Sequence, residues 1–239
     1  MQINQLHSWQ LSIDQAKQLQ TRLASLVSRE NELTEPHLIA GCDISAPDSN
    51  GIVHAAVIIV RYPSLEVVEE QVVEKKAIFP YVPGLLSFRE SPLLLTAFEN
   101  LSNEPDLILV DGQGIAHPRH FGIASHLGLI LNIPTIGCAK SRLCGHHKPL
   151  ATQKPGAYTN LIDNNEIIGA VVITKNKTNP IYVSIGHKID LPAAIFWVLE
   201  CCNGYRLPEP CRLAHLTAGG KHIASKPPTD AVQIKFSQL

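Results

Sequence analysis

No apolar run in this sequence approaches the roughly 20 residues that a helix needs to cross a bilayer. The first residues, Met1-Gln2-Ile3-Asn4-Gln5, also lack the basic stretch and following apolar segment of a secretory signal. A soluble, cytoplasmic protein without a membrane partner is expected. The cysteines, at 42, 138, 144, 201, 202 and 211, include no C-x-x-C pair, and two of them are adjacent, so neither a zinc ribbon nor a disulfide framework is indicated. Cys144, His146 and His147 lack a fourth ligand at suitable spacing, and Gly145 marks a loop there, which argues against zinc. No Ser/Gly or charge-rich linker, internal repeat or low-complexity tract divides the 239 residues, and 45% hydrophobic content suffices for one substantial core. A single domain over 1–239, monomeric, is the expectation.

A basic excess is missing too. The net charge of −1 argues against a partner rich in phosphate, which usually demands a positive surface. The average conceals an asymmetry: between Asp111 and Asp163 there is no acidic residue, while Arg119, Lys140, Arg142, Lys148 and Lys154 all fall there. Folded onto one side, that stretch offers a positive face on a neutral protein; otherwise these are merely solvated side chains.

What is present is an alternation of short elements. Residues 1–35 read as a helical, amphipathic segment, with Ser12 or Asp14 as a cap and Ala16, Leu19, Leu23 and Leu26 on one face. Three strands follow at 37–43, 51–61 and 67–76, joined by brief turns as an antiparallel meander. A helix at 91–101, a strand at 106–111, a helix at 119–131 and a strand at 133–139 make a parallel half. Strands near 157–162, 167–173 and 181–185 and a helix at 190–202 complete the order. The tail, 221–239, is polar and contains proline, so a peripheral position is expected.

Asp43 and Asp111 each end an apolar run, where a charge is costly unless paired, hydrated or bound to a cation. Ligands of open α/β sheets collect beyond the carboxyl ends of strands. Asp111-Gly112 is also a good turn dipeptide, so each aspartate alone has a structural explanation; the pair is more suggestive. Glu90 completes an S-x-x-E box with Ser87, but Pro92 would then fall inside the helix. Capping at Ser91 puts proline at the favoured first position and leaves Glu90 outside the helical ladder. Lys140 directly follows a strand, at the same kind of end as the aspartates. His117-Pro118-Arg119 is placed where the next helix would open, which favours anions. Gly112-Gln113-Gly114 is a weak phosphate loop, lacking a third glycine and a P-loop lysine.

The segment Pro80-Tyr81-Val82-Pro83-Gly84-Leu85-Leu86-Ser87-Phe88-Arg89-Glu90 holds a tyrosine between two prolines, each of which stiffens the chain. Such a tyrosine suits insertion between stacked bases, and the Arg-Glu pair can bring a phosphate contact and a metal ligand to the same place. An ordinary proline-rich loop leading into a helix is the plain alternative.

With Asp111-Gly112-Gln113-Gly114-Ile115-Ala116-His117-Pro118-Arg119, Pro134-Thr135-Ile136-Gly137-Cys138-Ala139-Lys140-Ser141 and Arg206-Leu207-Pro208-Glu209-Pro210-Cys211-Arg212-Leu213-Ala214-His215, that segment makes the chain resemble the endonuclease V family, deoxyinosine 3′ endonucleases of DNA repair. The resemblance covers residues 40 to about 220. It implies an α/β, RNase H-like fold: a central mixed sheet with strands 1–3 antiparallel and strands 4–5 parallel, flanked by helices. It puts metal-binding carboxylates on Asp43, Glu90 and Asp111, and an active-site lysine and histidine on Lys140 and His215. The DNA wedge falls on Pro80, Tyr81, Val82 and Pro83, and the lesion pocket on Gly84, Leu86, Gly112 and Ile123. Independently of the resemblance, Arg89, His117 and Arg119 are expected as phosphate or DNA contacts. Val82, Gln113 and Cys138 stand where isoleucine, histidine and valine are common in the family. The implied activity is that of an Mg²⁺-dependent endodeoxyribonuclease, with Mn²⁺ substituting, that cuts DNA at the second phosphodiester 3′ to deoxyinosine and leaves 3′-hydroxyl and 5′-phosphate ends. Two alternatives stand beside it: an RNase H-like nuclease of inosine-containing RNA or of branched or mismatched DNA, and a non-catalytic inosine-binding protein.

Overall fold

The computed structural model describes residues 1–221. The chain runs α1 (Ile13–Ala24), β1 (Leu38–Ile44), β2 (Ile52–Arg61), β3 (Glu66–Lys76), α2 (Leu86–Glu99), β4 (Leu107–Val110), α3 (Ile123–Leu131) and β5 (Thr135–Ala139). It continues through β6 (His146–His147), β7 (Tyr158–Asp163), β8 (Glu166–Val172), β9 (Ile181–His187), α4 (Leu191–Glu200) and α5 (Glu209–Ala218). The nine strands of the described residues form one sheet, in the order β3-β2-β1-β4-β5-β9-β8-β7-β6. The first three are antiparallel, and β4 lies parallel to both β1 and β5. This is the mixed, helix-flanked sheet expected of an RNase H-like fold. No helix among the described residues is long and apolar enough to cross a membrane.

Alternation along the central strands explains the layers, because successive side chains point to opposite faces. Ile39, Leu107, Leu109, Ile136 and Cys138 face the cluster that holds α4 and α5. Ala40, Cys42, Ile108 and Val110 face the cluster of α2 and α3. Both faces are covered, so these strands read as continuous apolar runs. A third cluster joins Ala16, Leu19 and Leu23 of α1 to Phe79, Leu85, Phe88 and Phe121, seating α1 against the segment that holds Tyr81.

Several expected boundaries move. Of residues 1–35 only α1 is helical, started by a Ser12–Gln15 capping box. Leu26, assigned to the buried face, is 57% exposed, and the chain beyond it pairs with Lys188 through Ser28 and Glu32. The helix expected at 91–101 begins at Leu86 and contains Pro92 and Glu90, with no side-chain cap from Ser87 or Ser91. Burial decides this: Leu85 and Phe88 fill the α1 cluster and Leu93, Leu94 and Phe98 the sheet cluster, which offsets the backbone bond that Pro92 cannot donate. The helix expected from 119 starts at Ile123, because Phe121 is drawn into the α1 cluster and His120 adopts φ 53°. The two-residue β6 and the whole of α5 were not expected. The peripheral tail at 221–239 lies, apart from Lys221, outside the described residues.

Candidate active site

Asp43, Asp111 and Lys140 gather because three neighbouring strands end side by side. Cys42 pairs with Val110 and Val110 with Gly137, so Asp43 and Asp111 arrive level with one another, and Lys140 comes two residues beyond that level on the neighbouring strand's course. Each continues the alternation that faces α4 and α5: 39-41-43 on β1, 107-109-111 after β4 and 136-138-140 after β5. Lys140 Nζ lies 2.5 Å from Asp111 Oδ2. His215 comes from α5, with Nδ1 2.6 Å from Asp43 Oδ2 and 3.3 Å from Lys140 Nζ. Gly41 permits this approach, since a Cβ there would stand 2.1 Å from the Pro210 carbonyl carbon at the start of α5. Glu209 begins the same helix, buried and joined to Arg212 at 2.6 Å.

Asp43, Asp111 and His215 can each point a ligand atom into a space where all three lie within 4.8 Å of one another. Burial raises the pKa of Asp111, and the Asp43 charge adds to it, against the Lys140 contact that lowers it. Glu90 arrives from α2, on the other face of the sheet, and stands outside that trio. Its carboxyl is pushed up to about 8, first by burial and then by Asp43, with Arg89 opposing and Asp111 adding a smaller push. Clustered carboxylates held out of water and repelling one another are a donor set that a divalent cation would relieve. Oxygen ligands with one imidazole suit Mg²⁺ or Mn²⁺ better than a thiolate-seeking metal.

The segment 80–83 borders this site and is tied at both ends. Arg89 Nη1 donates to the Phe79 carbonyl at 2.8 Å. The Gly84 carbonyl accepts from Gln20 Nε2 at 3.1 Å, His117 Nε2 at 3.0 Å and Arg119 Nη2 at 2.7 Å. His117 Nδ1 accepts from the Arg119 backbone N–H, which leaves Nε2 to carry the ring proton. Burial and the Arg119 charge lower the His117 pKa to about 4, consistent with a neutral ring. Gly84 itself has φ 77°, and a Cβ would stand 2.8 Å from Arg119 Nη2. Arg89, His117 and Arg119, expected as phosphate or DNA contacts, thus turn these donors inward as braces. His117 and Arg119 also lie in a loop before α3 rather than at its first turn.

Tyr81, held by these ties, is 72% exposed. Beside it opens a cleft of about 140 Å³ lined by Val82, Pro83, Gly84, Leu86, Ser87, Gln113 and Ile123 among others. Gly84, Leu86 and Ile123 were expected there. Gly112 lies beneath Ile123, whose Cγ2 would stand 2.5 Å from a Cβ at that position. Ser87 was singled out only as a cap and Gln113 only as a loop position. Their place in the wall had no sequence signal beyond adjacency to Leu86 and Gly112.

Paired aspartates and a lysine beyond the carboxyl ends of a mixed sheet, met by a histidine from α5, are an arrangement that suits a metal-dependent nuclease of α/β class. The Endonuclease V family model matches residues 21–216, and the chain belongs to that family. The Endonuclease V of Dehalococcoides mccartyi strain BAV1 is 50% identical over 218 residues, covering 91% of this chain and 97% of that protein. The Bacillus subtilis Endonuclease V structure has 31% identity and a TM-score of 0.86, covering 92% of this chain and 96% of that one. Endonuclease V of Ciona intestinalis, solved in complex with a 24mer DNA containing an inosine followed by a ribo-adenosine, has 27% identity and a TM-score of 0.72. That match covers 87% of this chain and 96% of that one.

Proposed function

We propose that this nuclease recognises deoxyinosine in DNA and cuts the second phosphodiester bond 3′ to it, leaving 3′-hydroxyl and 5′-phosphate ends. The observation that carries the reading is the convergence of Asp43, Asp111 and His215 within 4.8 Å, with Lys140 at 2.5 Å from Asp111. A relative solved with inosine-containing DNA supports the choice of substrate. Asp43, Asp111 and His215 would hold Mg²⁺ or Mn²⁺, with Glu90 as the further carboxylate. Such a cation, when bound, supplies Lewis-acid polarisation of the scissile phosphate and acidifies the attacking water.

The chain's own groups do the rest. Lys140 places a positive charge where negative charge develops on the phosphate, and the buried surroundings of Asp111 strengthen that interaction. His215, with Nδ1 on Asp43 Oδ2, keeps that carboxylate oriented. Tyr81, stiffened by Pro80 and Pro83 and tied through Gly84 and Phe79, enters the stack where the lesion leaves it. The base then occupies the cleft beside Tyr81, whose glycine lets main-chain groups come close. The protein works in the cytoplasm as a monomer.

The test is a cut-site map on a duplex with one deoxyinosine, in Mg²⁺ and in Mn²⁺, beside a matched inosine-containing RNA strand. A single nick at the second 3′ phosphodiester of the DNA is expected. Preferential cutting of the RNA would move the reading to an inosine-RNA nuclease. Tight lesion binding without cutting in either metal would leave a binding protein.

A further inference from the structure

Two residues in the walls of the cleft beside Tyr81 each carry a polar atom with no partner among the described residues. Ser87 Oγ and Gln113 Oε1 are both buried without a hydrogen bond to any described residue, and the residues that carry them are 2% and 9% exposed. Both residues line the cleft with Gly84, Ile123 and Leu143. A buried polar group left unpaired costs stability, so it calls for an explanation, and a ligand that supplies the missing partner is one.

The two atoms differ in what they can accept. Gln113 Nε2 donates to the Ser141 carbonyl at 2.9 Å, which fixes the amide so that its oxygen is the free end. Gln113 therefore offers an acceptor only. The Ser87 hydroxyl can rotate to donate or to accept.

We propose, resting on the inosine reading above, that this pair reads the lactam edge of a 6-oxopurine. Gln113 Oε1 accepts from the N1–H, and Ser87 donates its hydroxyl proton to O6. Adenine presents an unprotonated N1 at that place, acceptor against acceptor, while its 6-amino group still suits a hydroxyl turned to accept. Discrimination between the deaminated base and its undamaged parent therefore falls on Gln113, because its amide cannot turn over without losing Ser141. Guanine carries the same edge plus a 2-amino group, so its exclusion is a matter of room in a cleft of about 140 Å³. The outer wall is made by Tyr81 and Leu143, 72% and 48% exposed, so the base reaches the pair by displacing these side chains and leaves the core in place.

The experiment measures single-turnover cutting of duplexes carrying hypoxanthine, unsubstituted purine or adenine at one position, in Mg²⁺, by the wild type, Gln113→Leu and Ser87→Ala. Unsubstituted purine lacks both the N1–H and O6. The wild type is expected to favour hypoxanthine over purine by ~10- to 100-fold, the span of a buried hydrogen-bonded edge. Gln113→Leu should collapse most of that ratio and most of the preference over adenine. Ser87→Ala should lower the hypoxanthine-to-purine ratio and keep adenine disfavoured. A Gln113→Leu enzyme that cuts all three more slowly but at wild-type ratios would overturn the inference, since a loop merely disturbed near Asp111 slows every substrate alike. Equal cutting of all three by the wild type would overturn the inosine reading itself.

Discussion

Replacing Glu90 with glutamine should stabilise the metal-free protein at neutral and alkaline pH. The Glu90 carboxyl stands at about 8 in the fold against an ordinary 4.5, a gap of about 3.5 pH units whose first cause is burial. A carboxyl with a raised folded pKa binds more protons folded than unfolded, so stability falls as pH rises between those two values. The contribution is intact below pH 4.5 and is lost as pH climbs through 8. At 1.36 kcal/mol per unit, the ionisable carboxyl costs the fold less than ~1 kcal/mol at pH 5 and ~4 kcal/mol at pH 8. Glutamine keeps the shape and cannot ionise, so the variant escapes this loss. Urea unfolding of both proteins in a chelator, at pH 5 and pH 8, measures it. The stability difference, variant minus wild type, should grow by about 3 kcal/mol between the two pH values. A difference that is the same at both would refute the assignment of Glu90 as a buried, repelled carboxylate. The same substitution should weaken divalent-cation binding, because the destabilised carboxylate is the one that a cation would relieve.

Other outcomes follow from the same geometry. Gly41→Ala should destabilise the protein by about 3 kcal/mol or more and slow cutting, because its Cβ collides with the Pro210 carbonyl and pushes α5, with His215, away from Asp43; a thermal melt and a rate measurement check both. Gln20→Leu removes donors to the Gly84 and Phe121 carbonyls and the acceptor for Arg119 Nε, so it should cost about 1–3 kcal/mol and lower selectivity for inosine, read by unfolding and by competition with normal DNA. Tyr81→Ala should leave the fold intact, as the side chain is 72% exposed, but reduce the ratio of inosine to undamaged cutting. His117, lowered to about 4 by burial, supports stability fully above pH 6.5 and loses that support as pH falls through 4. His117→Gln should therefore remove about 2 kcal/mol of acid destabilisation at pH 5, measured by urea unfolding against the wild type.

Asp43 and Asp111 were legible because a carboxylate ending an apolar run needs a partner, and strand register then brings the two level. Lys140 followed from the same reasoning at the next strand. Glu90 was legible as a residue with a poor capping role, yet its position inside α2 was not. Local rules place Pro92 at a helix start, whereas the burial of Leu85 and Phe88 sets the true one, and that packing is tertiary. The α5 helix was hidden by Pro208 and Pro210, which read locally as breakers, so His215 rested on resemblance alone. The sequence offered no hint that Arg119 and His117 turn inward to one carbonyl, because a basic residue in a loop looks the same whether it faces a phosphate or braces a turn. The positive stretch from 112 to 162 contributes Lys140 to the site, and two of its expected anion contacts, His117 and Arg119, are bonded to the Gly84 carbonyl beside Tyr81.

The most direct test of the central claim compares the wild type with Asp111→Asn on a duplex containing one deoxyinosine, with and without Mg²⁺, measuring binding and nicking on the same samples. The wild type should nick only in the presence of the cation, and Asp111→Asn should bind the lesion with similar affinity while its nicking is abolished. Normal turnover by Asp111→Asn, or nicking by the wild type that is indifferent to the cation, would contradict the assignment of this carboxylate cluster as the place where DNA is cut.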